Sequence, residues 1–188
     1  HIGMHADVFA VRTAMDRDEI TLEPRFQAVV RQPRAIQLRQ AHIAAPALGQ
    51  SEDSAKPRLI VLTDIGNEPD DSMSLVRLLT YANEFEIEGL VATTSTHLRD
   101  ATHRAMIDRR VRAYGEVLPN LRVHAGGWPD EAQLASRIRS GCAAYGMACV
   151  GKGKDTEASR LIVAAVDRPD PRPVWVAIWG GGADLAQA

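Results

Sequence analysis

Four carboxylates, Asp64, Glu68, Asp70 and Asp71, fall within eight positions of the stretch LTDIGNEPDDS, residues 62–72. An apolar run precedes them and a helix-like run follows. Carboxylates crowded at the end of a buried strand repel one another and raise each other's pKa unless something neutralises them. One reading is that they hold a cation or a polyol. A hard cation such as calcium, which takes ~6–8 oxygen ligands, suits this donor set. The other reading is a helix cap, because Pro69 in a first turn and Asp70 and Asp71 at a helix N-terminus suit the helix dipole. Capping is worth ~0.3–1 kcal/mol per exposed carboxylate and gives no reason for Asp64. The loop is not an EF-hand, since D-x-[DN]-x-[DN]-G is missing.

Other motifs carry less chemistry. GMACVGKG, residues 146–153, matches G-x-x-x-x-G-K, but Gly153 stands where a phosphate loop needs Ser or Thr. It reads instead as a glycine loop over the strand ends. His97 and His103 follow the second expected strand, near the ligand edge, and His124 ends the third; a structural role is the default for each. Cys142 and Cys149 have no zinc-ligand spacing and read as two semi-buried thiols, with a single bridge as the alternative in an exported protein.

The elements that must position these groups follow from the apolar patterning. RLIVLTD, IEGLVATTS, LRVHAG and RPVWVAIWGGG read as short buried strands. DDSMSLVRLLTYANEF and RDATHRAMIDRRVRAYGEVLPN read as helices, the second closed by Pro119-Asn120. PDEAQLASRIRSG reads as a helix ended by Gly141, and DTEASRLIVAAVDRPD as one capped by Asp155. The closing ADLAQA starts a further helix. This alternation predicts an α/β fold, an open and mostly parallel sheet with helices on both faces. Such sheets bind ligands at the carboxyl ends of their strands. The acidic cluster follows the first strand, and Trp179-Gly180-Gly181-Gly182 follows the last.

The 188 residues carry 22 Lys and Arg against 24 Asp and Glu, which excludes a polyanion-binding chain as a whole. No apolar run approaches the ~20 residues that span a membrane. Residues 1–56 read as a basic, flexible N-terminal extension: between Pro24 and Gln50 there are four arginines and no acid. Only Phe26 is available there to stack on a base, so nucleic acid is not the expected partner. No uninterrupted apolar signal core is legible in the first fifty residues, although AHIAAPALGQSEDSAKPR has the texture of a cleavage region. Residues 57–188 form the folded domain, which we expect to be the front part of a longer one.

VLTDIGNEPDD resembles the N-terminal aspartate motif of the inosine–uridine-type nucleoside hydrolases, an apolar strand followed by D-x-D-P-G-x-D-D. With SLVRLLTYANEFEIEGLVATTS, AYGEVLPNLRVHAGGWPDEAQLASRIRSG and the stretch from Tyr145 to Ala188, the resemblance narrows to the nucleoside hydrolase-like domain of bacterial proteins labelled cellulose-binding. It implies a Rossmann-like nucleoside hydrolase fold, a calcium cofactor and usual export. It also implies that Asp70 and Asp71 bind calcium and ribose hydroxyls, with Asp64 as metal ligand and water-orienting catalytic residue. Two registers are open for Asp64. In one, a two-residue insertion places it at the catalytic aspartate; in the other, ungapped, Gly66 takes that position. Where the family has a ribose-contacting asparagine, TTSTHLRD offers Thr94, Ser95, His97 and Arg99, of which His97 is the expected substrate contact. Trp179 either stacks on a base or sugar face or belongs to the core. The implied activity is calcium-dependent hydrolysis of an N-glycosidic bond, the alternative being carbohydrate binding without turnover on the same fold. The expected partner is accordingly a small nucleoside or saccharide.

Overall fold

The computed structural model describes residues 7–11 and 55–188. The basic lead, residues 1–56, therefore lies outside the described residues, apart from the strand β1, Asp7–Val11, and residues 55–56. The order that follows is β2 (Arg58–Thr63), α1 (Pro69–Leu79), β3 (Glu86–Ala92), α2 (Arg104–His124), α3 (Glu131–Ala135), β4 (Ile138–Ser140), α4 (Glu157–Asp167), β5 (Val174–Ile178) and α5 (Ala183–Gln187). Strand order across the sheet is β1-β5-β2-β3-β4. The last four run parallel and β1 joins β5 antiparallel, so the expected α/β class holds.

Two apolar layers flank the sheet, and strand alternation sorts residues between them. On one face Val61 and Leu90 meet Leu75 and Leu79 of α1 and Ile107, Val111, Tyr114 and Leu118 of α2. On the other, Ile60, Leu62, Val91 and Val176 meet Ala158, Ile162 and Ala165 of α4. β2 is thus covered on both sides, which is why its sequence shows no polar alternation.

Three sequence expectations are corrected here. LRVHAG is no strand: α2 runs on through Pro119 to His124, with His124 exposed at its end. A proline disfavours a helix interior, but Ile107, Val111, Tyr114 and Leu118 lie on one buried stripe that Leu121 extends beyond it. Packing of that stripe outweighs the breaker. The third parallel strand is instead Ile138–Ser140, within the stretch expected to be helical. Leu134 and Ile138 stand four apart, a helical spacing, yet α3 ends at Ala135 and Ile138 pairs with Leu90. Finally, Thr156 rather than Asp155 caps α4, its hydroxyl accepting from Ser159 N–H at 2.9 Å.

Candidate functional site at the carboxyl ends of the strands

Asp64 stands one residue beyond β2, and Asp71 lies in the first turn of α1. The chain reverses between them through Gly66, whose φ of +112° suits glycine. A β-carbon at Gly66 would fall 2.6 Å from the ring of His103, so this turn nests against the start of α2. Pro69 opens the helix, and the Asp71 N–H donates to Asp70 Oδ1 at 2.9 Å. One oxygen of Asp70 therefore serves its own helix end, as the capping reading expects.

Asp71 does something else. Only 7% exposed, it accepts a hydrogen bond from the hydroxyl of Thr63, which in turn accepts from Ile65 N–H. Burial raises its carboxyl pKa to about 7; the Thr63 hydrogen bond opposes that rise, while Asp64 and Asp70 add to it. Asp64 is half-buried and accepts from the Ser95 hydroxyl, which comes from the end of β3. Ser95 Oγ also accepts from the N–H groups of His97 and Leu98, at 3.0 and 3.1 Å. Asp64 and Asp71 thus sit side by side, each bound by one hydroxyl, Ser95 for Asp64 and Thr63 for Asp71.

The glycine run after β5 backs this pair. Trp179 N–H donates to Leu62 O at 2.8 Å, carrying β5 on beside β2. A β-carbon at Gly180 would lie 2.8 Å from the Asp64 backbone nitrogen, and one at Gly181 only 2.2 Å from Thr94 O. We predict that Gly181→Ala costs about 1–3 kcal/mol, since a backbone carbonyl must move to admit it. Thermal unfolding checks this, and an unchanged midpoint would show that the segment yields freely.

The strand ends therefore bring Asp64, Asp70 and Asp71 to one edge. His97 is exposed there and reaches Ser95 through its backbone. Trp179 is half-buried and packs against the core layer containing Val61 and Ala177. Among the described residues no three His, Cys, Asp or Glu side chains converge closely enough to hold an ion by themselves. Asp64 and Asp71 still have the right chemistry for a hard cation: two adjacent carboxylates, with no Lys or Arg within ion-pair distance among the described residues. Two carboxylates fit such an ion only if carbonyls, hydroxyls or water complete its shell.

The sequence offered Ser95 without its bond to Asp64, and did not point to Asp184. Ser95 was visible in TTSTHLRD, but its role depends on which way alternate side chains point at a strand end. Asp184, in the first turn of α5, is 1% exposed. It accepts from Thr156 Oγ1 at 2.7 Å, Cys142 N–H at 3.1 Å and Thr93 Oγ1 at 3.3 Å. It ties α4, β3 and the loop after β4 together beneath the site. The two cysteines are joined as a disulfide, Cys142–Cys149, and are not the semi-buried thiols expected from sequence. The loop that it closes leans on the site's own segment, with Thr94 Oγ1 donating to Ala144 O at 3.1 Å.

A mostly parallel α/β sheet with two carboxylates where its central strand ends is the arrangement to compare with known proteins. The family model described as "Cellulose-binding Sde182, nucleoside hydrolase-like domain" matches residues 58–188, and the chain belongs to that family. It is similar to a solved structure, "a nucleoside hydrolase-related hypothetical protein from Saccharophagus degradans that is associated with carbohydrate metabolism", at 47% identity and a TM-score of 0.69. The match covers 71% of this chain and 33% of that one, so the chain spans about a third of the solved relative's length. No curated protein matches.

Proposed function

We propose that this domain binds a saccharide through Asp64 and Asp71, which grip adjacent ring hydroxyls at the ends of β2 and α1. The observation that carries this reading is the buried Asp71 carboxyl beside Asp64 at the strand ends. Asp71 keeps its proton to about pH 7 through burial beside Asp64. It can then donate to one hydroxyl oxygen while Asp64 accepts from the neighbouring hydroxyl, a donor–acceptor pair matched to a polyol. The family description, cellulose-binding, and the solved relative's association with carbohydrate metabolism agree with a sugar ligand. Calcium, if taken up, would be held by Asp64 and Asp71 and would supply charge neutralisation and open positions for hydroxyl oxygens. Asp70, His97 and Trp179 then line the rim of the sugar site.

Hydrolysis of a glycosidic bond is the second reading. It is favoured by the same raised Asp71 carboxyl, since a group titrating near neutrality suits general acid–base work. Calorimetric titration of the 188-residue chain with cellobiose and with inosine, each with calcium and with chelator, tests both. Cellobiose binding that is lost in Asp64→Ala supports the saccharide reading. Release of hypoxanthine from inosine moves the assignment to the hydrolase. No binding of either ligand, in either condition, removes the sugar-site reading from this chain.

A further inference from the structure

A cleft of about 660 Å³ runs along α4 on the face of the sheet away from α1, well apart from the acidic strand ends in its chemistry. Its floor is small and apolar, made by Leu161, Ala164 and Ala165 of α4. Its walls carry five guanidinium groups, from Arg104, Arg137, Arg139, Arg160 and Arg168, against two carboxylates, Glu88 and Glu157. Both carboxylates are engaged. Glu88 is taken by Arg58 and Arg168, and Glu157 lies 3.6 Å from Arg104. Among the described residues, Arg137, Arg139 and Arg160 have no carboxylate within ion-pair distance.

All three residues line the one cleft. Arg137 lies in the turn that leads into β4 and Arg139 within β4. Arg139 Nη1 donates to Ser136 O at 2.9 Å and to Ile138 O at 2.7 Å, which anchors one end of the guanidinium on nearby backbone; its Nε and Nη2 groups make no hydrogen bond among the described residues. Across the cleft, Arg160 Nη1 donates to Asp155 O at 3.2 Å. Alanine at 164 and 165 keeps the space between the walls open. Three arginines lining one cleft without a carboxylate partner among the described residues suit an oxyanion, which a guanidinium fork binds through paired hydrogen bonds.

We propose that this cleft is a binding site for a tetrahedral oxyanion, a phosphate or sulfate group, either free or carried as an ester on a small molecule. Arg137, Arg139 and Arg160 bind the anion's oxygens, and the apolar floor takes the body of an ester where one is present. The site is independent of the acidic strand ends and does not rest on the sugar reading.

The test is calorimetric titration of the 188-residue chain with inorganic phosphate, inorganic sulfate, glucose 6-phosphate and glucose, at ionic strength held constant with chloride. Saturable heat from phosphate or sulfate is expected, with at least a tenfold loss of affinity in Arg137→Gln/Arg139→Gln/Arg160→Gln. Tighter binding of glucose 6-phosphate than of phosphate, with none of glucose, assigns the site to an ester; equal binding assigns it to the free anion. Should the triple variant fail to fold, ³¹P line broadening of phosphate by wild type and by Arg160→Gln reads the same loss. Heat no larger than chloride produces, or binding that survives the substitutions, overturns the proposal.

Discussion

Asp71→Asn is expected to make the domain more stable than wild type at pH 8 and no more stable at pH 4. In the unfolded chain Asp71 releases its proton near the ordinary carboxylate value of 3.8, whereas in the folded domain it keeps it to about pH 7. Between those values the folded state binds more protons than the unfolded state. The stability that this group contributes is therefore full below pH 3.8 and is lost as pH rises towards 7. Burial drives the effect, reinforced by Asp64 and Asp70, so the penalty at pH 8 is on the order of a few kcal/mol. Asparagine still accepts from Thr63 and removes the charge. Urea unfolding of both proteins at pH 4 and pH 8 measures the difference, with other titrating groups cancelling between them. Calcium should act in the opposite sense. If the pair takes up the ion, calcium raises the wild-type midpoint at pH 8, does so less at pH 4, and leaves Asp71→Asn nearly unchanged. A variant no more stable than wild type at pH 8 without metal would mean that Asp71 ionises there at no cost, and the donor–acceptor pair would lose its basis.

Much of the arrangement behind that experiment could be read from residue types. β2, β3 and β5 are aliphatic runs covered on both faces, and α1 and α4 repeat apolar residues at helical spacing, so their sequences point to one structure. Where local pattern and packing disagreed, the sequence misled. Pro119 reads as a stop, yet the stripe from Ile107 to Leu121 continues past it. Ile138 reads as helical beside Leu134, yet pairing with β3 claims it. A strand of three residues is too short for alternation to register. The acidic cluster announced itself through Asp64, which capping could not explain. Its supports did not, because Ser95 and Thr63 matter only through which side of a strand end they face. Asp184 reads as one acid in a first turn, and only burial among Thr93, Cys142 and Thr156 gives it a task. The disulfide depends on the path of the loop between β4 and α4, which the spacing of two cysteines does not specify.

Glu88→Ala is expected to cost about 3–5 kcal/mol, because it breaks a buried ion pair. Glu88 is 4% exposed and pairs with Arg58, which is 1% exposed at the start of β2. Removing it leaves a buried guanidinium with carbonyl partners, at Arg172 O and Ala165 O, and with Asp170 at 3.9 Å as the nearest remaining charge. Those partners place the cost towards the lower end of the range. Arg58→Met/Glu88→Leu should recover most of the loss, because a well-packed apolar pair avoids burying two charges. Urea midpoints of wild type, single and double variants decide this; a single-variant cost below about 1 kcal/mol would show that the carbonyls and Asp170 already satisfy Arg58. The pair also bears on the site. β2 and β3 pair Leu59 with Ile87 but Ile60 with Gly89, so Glu88 is the extra residue of a bulge aimed at Arg58. Every later pairing, through Thr63 with Ala92, inherits that register, and with it the meeting of Asp64 with Ser95 just beyond. If the ion pair sets the bulge, the double variant is stable but binds ligand at the strand ends more weakly than wild type. If Gly89 sets it, through its close approach to Ile60 and Leu161, the double variant regains stability and binding together.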